Sequence, residues 1–288
     1  MKMRELFNQE FAFFMSVPAL LWQVVFFYIP LAIILFSGFV KQDAHTFFSS
    51  LTLEHFSSFF DPIYSAIIAR SFLLALVNAS LSVLLAYPVA YYVAGAADRV
   101  KNILLFLLIL PFWTNFLVQV YAWFFVLEKH GLINSVLMKI GLISQPLMLL
   151  NNTFGIYIVM LYCYFPFAVM PIYSVLEKLD KRMLEASYDL GATSWQTFHR
   201  VILPLSFSGV SISFFLVFIA SFGEFVIPSL LGGGKQMYIG TLITHYFLVS
   251  RNYHLGSAFT LLTVLVLLVG AALLYSFIGR IIKRSGGA

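Results

Sequence analysis

The chain has 288 residues, of which 61% are hydrophobic and only 10% are charged, and its formal net charge is +5. A soluble domain carries about 25% charged residues, so this composition excludes an ordinary soluble enzyme and indicates an integral membrane protein. The basic residues are scattered and form no dense patch, which argues against nucleic-acid binding.

Six apolar segments are long enough to cross a bilayer as helices, which takes about 20 residues. We predict an all-α membrane protein, a single transmembrane domain over 1–288, with spans at about 14–38, 64–94, 102–127, 153–176, 206–231 and 256–282. Prolines inside these segments predict kinked helices, because neighbouring helices can satisfy the carbonyl groups that a proline leaves free.

The distribution of Lys and Arg predicts the orientation. With six spans and the N-terminus inside, the cytoplasmic segments hold more of these residues than the outer segments do. Cytoplasmic loops of membrane proteins carry an excess of Lys and Arg, so we expect both termini in the cytoplasm. The polar loop 177–204, between the fourth and fifth spans, then also faces the cytoplasm.

This loop is a charged stretch in an otherwise apolar chain. Helix-forming residues with charges at helical spacing predict a first helix over 181–190. Gly191 is expected to end that helix, because glycine accepts a positive φ. Thr193 or Ser194 is expected to cap a second short helix, over 195–201. A solvated connector and a rigid element that docks on a soluble partner both fit this pattern.

Glu224 is the acidic residue that falls well inside a predicted span. A carboxylate at such depth costs roughly 2.5–3.5 kcal/mol on insertion scales, so a functional role is the default hypothesis. Counted from Ser206 it lies about 27 Å along a helix, which we expect to be the outer half of the membrane. This position is compatible with a contact to a cationic substrate and also with a structural role in a gate.

The third predicted span contains Pro111-Phe112-Trp113-Thr114-Asn115. Polar groups at span depth usually face a bundle interior, so we predict that Trp113, Thr114 and Asn115 line the substrate path. Tyr121 is a further candidate, because aromatic faces attract amines by up to about 2 kcal/mol when desolvated. Packing against lipid is the alternative for each ring, since 18% of the residues are aromatic.

Several classes of site are not expected. The six histidines include no His-x3-His pair, so no metal site is predicted. The run Gly232-Gly233-Gly234-Lys235 fails as a phosphate loop, because Ser229 stands where the first glycine belongs and Gln236 follows the lysine. We therefore expect that this chain binds no nucleotide and no cofactor.

Two groups of motifs carry a family resemblance. The residues Glu185-Ala186-Ser187, Gly191 and Val201-Ile202-Leu203-Pro204 follow the spacing Glu-Ala-Ala-x3-Gly-x9-Ile-x-Leu-Pro. In this the chain resembles the permease subunits of bacterial ABC importers, with Ser187 and Val201 as small departures. The stretches 111–115, 165–173, 176–180 and 223–233 resemble the spermidine/putrescine branch of that family. Gln119 departs from it, since relatives often carry a basic residue there.

The resemblance implies a type I ABC importer permease fold in the bacterial inner membrane and polyamines as the cargo. It implies that the loop docks in a cleft of a cytoplasmic ATPase through Glu185, Ala186, Asp189, Gly191 and Pro204. It further implies two copies of that ATPase, which bind ATP and Mg, a second homologous permease chain, and an extracytoplasmic polyamine-binding protein.

Other functions remain open at this point. An importer for ferric iron, a sulfate-like anion or an opine is the alternative within the same class. A membrane-embedded enzyme would need several ionisable residues at one depth, and Glu224 alone qualifies. A passive channel would not need the motif over 185–204.

Overall fold

The computed structural model describes residues 17–41 and 51–285, where the regular elements are helices and one isolated antiparallel bridge joins Val40 to Leu51. In chain order the main helices are α1 Val17–Ser37, α2 Pro62–Gly95, α3 Asp98–Ile109, α4 Phe116–Leu127, α5 Leu132–Lys139, α6 Thr153–Leu176, α7 Lys181–Asp189, α8 Ser194–Thr197, α9 Leu203–Phe222, α10 Val226–Leu231, α11 Ile239–Thr244 and α12 Tyr253–Ser285. The all-α fold expected from the sequence is confirmed.

Six helical segments of the described chain are long and apolar enough to cross a membrane: Val17–Ser37, Pro62–Gly95, Phe116–Lys139, Thr153–Leu176, Ser194–Phe222 and Tyr253–Ser276. The number predicted from the sequence is therefore confirmed. The start of the first predicted span, 14–16, lies outside the described residues.

The third predicted span, 102–127, is not one helix. α3 ends at Ile109, a 3-10 turn follows over Leu110–Trp113, and α4 begins at Phe116. Pro111 lacks the N–H that a continuing helix needs. Asn115 starts the next helix, because its side chain accepts a hydrogen bond from the Leu117 N–H at 2.9 Å. The membrane-crossing candidate here is Phe116–Lys139 rather than 102–127.

The fifth predicted span, 206–231, also needs correction. The helical backbone starts at Ser194, passes through a π-helical turn at Phe198–Ile202, and ends at Phe222. Pro204, expected at the start of the span, is the second residue of α9, but the backbone before it is already helical through the π turn. Residues 223–225 form a break before the short helix α10.

The chain separates into two compact units. The first comprises the described residues up to Tyr64 together with 243–265. Within it, the His254 ring nitrogen Nδ1 donates to the Ser37 carbonyl at 2.8 Å, and the hydroxyls of Tyr64 and Tyr246 lie 2.8 Å apart.

The second unit comprises 65–242 and the described residues from Val266 onward. Within it, α9 packs along α6. Gly209 allows the two backbones to approach closely, since a Cβ at this position would lie 2.8 Å from the Pro171 carbonyl oxygen. The Ser213 hydroxyl donates to the Ala168 carbonyl at 2.7 Å, four residues further along the same interface. Small residues at such contacts are typical of membrane helices.

The α6–α9 contact generates the first prediction. Gly209→Ala introduces a methyl group that meets backbone atoms of α6, so the helices must separate, and we expect a loss of about 1–3 kcal/mol. Gly279→Ala on α12 is the matched control, because a Cβ there finds no atom within 4 Å. Thermal denaturation in detergent should show a lower midpoint for Gly209→Ala alone. Equal midpoints for the two variants would contradict the close packing.

Candidate functional site

The break between α9 and α10 places a carboxylate at the end of a membrane-crossing helix. α9 has 20 residues, which corresponds to about 30 Å of helix, the thickness of the hydrocarbon core. Gly223 follows α9, and Glu224 is the next residue. The Glu224 side chain is only 8% exposed. The acidic residue singled out from the sequence is therefore buried in a helix break.

The Glu224 carboxylate accepts three hydrogen bonds. Its Oε1 atom accepts from the backbone N–H groups of Val226 at 2.8 Å and Ile227 at 3.2 Å, and its Oε2 atom accepts from the Tyr164 hydroxyl. Backbone N–H groups at a helix start lack partners within the helix and attract negative charge. The carboxylate thus caps α10 and ties it to α6, which carries Tyr164.

The start of α11 packs directly on this break. A Cβ on Gly240 would lie 2.4 Å from the Gly223 carbonyl oxygen and 2.9 Å from that of Glu224, so only glycine allows this approach. The Ile239 N–H donates to the Ser71 hydroxyl on α2 at 2.8 Å. The break is therefore held from several sides by α2, α6 and α11.

The second break, between α3 and α4, uses its polar side chains for its own turn. The Thr114 hydroxyl donates to the Pro111 carbonyl at 2.7 Å. The Gln119 amide Nε2 donates to Thr114 Oγ1 at 2.7 Å and also to the Pro111 carbonyl. Together with the Asn115 cap, these contacts give the side-chain oxygens of Thr114 and Asn115 partners within the turn itself. They also give Gln119, the departure from the family pattern, a structural role.

The two aromatic candidates are more accessible. Trp113 is 73% exposed and packs edge-to-face on Phe106 with ring centroids 5.6 Å apart. Tyr121 is 48% exposed and lies on α4, which packs against α10. Trp113 and Tyr121 thus present exposed rings, whereas Glu224 is turned towards Tyr164 and the start of α10.

Loop 177–204 has the predicted helix-turn-helix form. Asp180 caps α7 by accepting from the Arg182 N–H at 3.0 Å. Gly191 ends the turn with φ +81°. Thr193 and Gln196 form a reciprocal capping box at the start of α8. Residues 195–201 are helical as expected, but the helix does not end at Val201, because α8 passes through the π turn into α9.

A side-chain hydrogen bond joins the two helices of the loop. The hydroxyls of Ser187 on α7 and Thr197 on α8 lie 2.9 Å apart, and Thr197 is fully buried. The sequence motif indicated only that Ser187 departs from Glu-Ala-Ala, whereas in the structure its hydroxyl links the two helices of the loop. The other predicted loop residues, Glu185, Ala186, Asp189, Gly191 and Pro204, are exposed.

The loop also exposes large apolar side chains around a cavity. Leu190 is 89% exposed, Trp195 is 71% exposed and Met183 is 48% exposed. A cavity of about 700 Å³ is lined by Met183, Ala186, Ser187, Leu190, Gly191, Ala192, Gln196, Arg200 and Val201. Large exposed apolar side chains that lie near one another in this way are typical of interaction sites.

An ion pair anchors the base of the loop. The Lys101 ammonium lies 3.3 Å from the Glu177 carboxylate and 3.6 Å from that of Asp98. The Tyr173 hydroxyl and Lys101 donate to Glu177 and hold its pKa below the usual range. The charged carboxylate therefore links the start of α3 to the end of α6.

One contact was not predicted from the sequence, namely the Tyr164–Glu224 hydrogen bond. A buried carboxylate needs hydrogen-bond donors. The expected depth of Glu224 therefore already pointed to a donor, such as a Tyr hydroxyl, on a neighbouring span. In the described residues, no group of three or more His, Cys, Asp or Glu side chains is placed to hold a metal ion.

Six crossing helices, two helix breaks and a structured polar loop define a multi-pass membrane transport subunit. Residues 83–286 match the family described as binding-protein-dependent transport system inner membrane component, and the chain belongs to that family. It is therefore a transporter permease subunit of the inner membrane.

Relatives and a solved structure agree with this assignment. The chain is 36% identical over 250 residues to the spermidine/putrescine transport system permease protein PotB of Haemophilus influenzae, covering 86% of this chain and 87% of the relative. It is 35% identical over 271 residues to PotB of Escherichia coli K12, covering 94% and 98%. A bacterial alginate ABC transporter, solved with an alginate pentasaccharide-bound periplasmic protein, shares the fold at TM-score 0.75 and 16% identity, covering 97% and 98%.

The cap at α10 generates the second prediction. Glu224→Ala removes the acceptor for two backbone N–H groups and for Tyr164, and we expect a loss of about 1–2 kcal/mol. Glu224→Gln keeps an amide oxygen as acceptor and should lose less. Hydrogen exchange should report faster exchange at the Val226 and Ile227 amides in the Ala variant. Unchanged protection of both amides in Glu224→Ala would show that the carboxylate does not hold the helix.

Proposed function

We propose that the chain is the pore-forming permease subunit of an ATP-driven importer of polyamines such as spermidine or putrescine. The observation that supports polyamines as the cargo is the 36% and 35% identity to spermidine/putrescine permease proteins over most of the chain. A buried carboxylate at a break in the membrane suits a cationic cargo, since an ionisable residue at that depth marks a substrate path or a gate.

In this proposal Glu224 belongs to the substrate path as the residue that holds the gate. The carboxylate is hydrogen-bonded and largely buried in the described conformation, so a cation reaches it only after the α9–α10 break rearranges. Trp113 and Tyr121 offer exposed aromatic faces to an amine. Thr114 and Asn115 contribute by stabilising the α3–α4 turn, which positions Trp113.

Loop 177–204 is proposed to lie in the cytoplasm and to dock on an ATPase subunit that binds ATP and Mg. Its rigid helix pair and the exposed Met183, Leu190 and Trp195 support this role. Closure of two ATPase copies then moves the loops as rigid bodies, and α8 transmits the motion to α9 because the backbone between them is helical.

The proposed partners follow from the same considerations. Each chain carries one such loop, so two ATPase copies require a second, homologous permease chain. The alginate transporter of similar fold was solved with a periplasmic binding protein. By analogy, an extracytoplasmic polyamine-binding protein delivers the cargo to this chain and its partner permease.

The third prediction concerns the cargo and is tested on the assembled complex in lipid vesicles. ATP hydrolysis should rise severalfold with binding protein loaded with spermidine or putrescine, and should stay basal with sulfate. Stimulation by sulfate alone would overturn the polyamine assignment.

Glu224→Gln then removes the charge and keeps one oxygen as the acceptor for the two α10 N–H groups, while its amide nitrogen donates to the Tyr164 hydroxyl instead of accepting from it. Spermidine uptake should fall although the variant stays folded, whereas unchanged uptake would remove Glu224 from the path.

The coupling role is tested by a matched pair of glycines, which is the fourth prediction. Gly191 (φ +81°) and Gly141 (φ +73°) both have open space around the Cβ position, so alanine strains each backbone by about 1–2 kcal/mol without a clash. Only Gly191→Ala should lower transport and substrate-stimulated ATP hydrolysis, because Gly141 lies outside the loop, after α5. Equal transport by the two variants would contradict a coupling function of the loop.

A further inference from the structure

α2 carries a fully buried asparagine near its middle. Asn78 lies well inside the helix Pro62–Gly95, and its side chain has no exposure to solvent. An amide inside a membrane helix is costly unless it is hydrogen-bonded, so such a residue usually faces another helix. The Asn78 amide nitrogen Nδ2 donates to the Ser221 hydroxyl on α9 at 2.8 Å. Asn78 therefore joins two membrane-crossing helices.

The partner of Asn78 lies directly before the second helix break. Ser221 is the next-to-last residue of α9 and is itself buried. Its carbonyl oxygen accepts from the Gly223 N–H, and also from the Glu224 N–H at 3.4 Å. Gly223 and Glu224 are the first two residues of the break. Ser221 thus bonds to α2 through its side chain and to the residue that caps α10 through its backbone.

A second polar side chain on the same face of α2 holds the far side of the break. Ser71 lies seven residues before Asn78, which is about two helical turns, or about 10 Å along the axis. The Ser71 hydroxyl accepts from the Ile239 N–H at the start of α11. The segment 221–239, which contains the break and α10, is therefore attached to α2 at both of its ends.

The Asn78 amide uses only one of its two ends. Within the described part of the chain, its Oδ1 atom and the hydroxyl of Ser82, one turn further along the same face, are buried without a hydrogen-bond partner. A buried acceptor without a donor offsets much of what the Nδ2 bond contributes, and an apolar pair of similar shape can stabilise two helices equally well. Helix packing alone therefore does not account for an asparagine at this position.

The geometry shows how the asparagine can act on Glu224 without touching it. The hydrogen bonds of the Glu224 carboxylate go to α6 and α10, so α2 reaches this residue through the last turn of α9. When the bond to Ser221 is lost, that turn is free to move, and the Ser221 carbonyl shifts relative to the N–H groups that follow it. The carboxylate then moves away from the start of α10.

We propose that Asn78 is a positioning residue for Glu224. It fixes the last turn of α9, so that the carboxylate stays on the start of α10, and it does not contact the cargo. The inference rests on the proposed function of Glu224 as the residue that holds the gate. It adds α2 to the helices that must release the break before the gate opens.

The test compares two hydrogen bonds that join the same two helices. Asn78→Ala with Ser221→Ala removes the bond beside the break. Tyr87→Phe with Ser206→Ala is the matched control, because the hydroxyls of Tyr87 on α2 and Ser206 on α9 also lie 2.8 Å apart. Ser206 precedes Ser221 by about 22 Å of helix, so the control bond lies far from the break.

Hydrogen exchange is measured on the full chain in the assembled transporter. The amides of Val226 and Ile227 should exchange about tenfold faster in the first pair of variants than in the unsubstituted chain, since one hydrogen bond beside the break is lost. The control pair should leave both amides unchanged. Ser221→Ala alone also breaks the bond and should give most of the effect, so it decides the question if the double variant does not fold.

Two exchange results would overturn the proposal. Equal exchange of the two α10 amides in the test pair and the control pair would leave Asn78 as an ordinary contact between α2 and α9. Faster exchange along the whole of both helices would indicate general loosening instead of a local effect on the break.

Spermidine uptake by the same variants separates this inference from the proposed function. The maximal rate should fall severalfold in Asn78→Ala at unchanged KM, because Asn78 positions the gate and does not contact the cargo. A raised KM at unchanged maximal rate would place Asn78 on the cargo and overturn the positioning role. If the unsubstituted transporter takes up no spermidine, the proposed cargo is wrong, while the exchange comparison still decides the role of Asn78.

Discussion

Backbone polar groups at a helix break lose their helical hydrogen-bond partners, and this constraint explains the polar side chains at both breaks in the chain. At the first break, Thr114, Asn115 and Gln119 satisfy the turn that Pro111 imposes. At the second, Glu224 accepts from two backbone N–H groups of α10. In each case polar side chains take the place of the missing helical hydrogen bonds, which is why polar residues occur at these depths at all.

The helix that leads into the second break also connects it to the loop. The backbone is helical from Ser194 to Phe222, so within the proposed function a displacement of α8 would be carried along α9 to Glu224. Close contact of α9 with α6 at Gly209 limits bending of the helix on the way. The Ser187–Thr197 hydrogen bond links the two loop helices at the other end. Within the proposed function, linked loop helices and a straight α9 are the two requirements for coupling over this distance.

The sequence predicts the parts of this structure that depend on local chemistry. The length of the apolar segments predicted six crossing helices. Gly191 and Thr193 predicted the helix-turn-helix loop, because caps and positive φ values are encoded within a few residues. The divided third and fifth spans were missed, since hydropathy averages over a break that stays apolar on both sides. The Tyr164–Glu224 contact joins residues 60 positions apart and depends on the packing of α10 against α6.

The burial of Glu224 has a consequence for the proposed transport cycle. Because the carboxylate caps α10 and accepts from Tyr164, a cation that takes over the carboxylate must compete with three donors. Loss of the cap weakens the start of α10, and Gly240 of α11 packs directly on that point. Within the proposed function, cargo binding and opening of the break therefore act on the same group. A carboxylate that only lined an open pore would have no such link, and Glu224→Ala would then change affinity for the cargo without changing the exchange of the α10 amides.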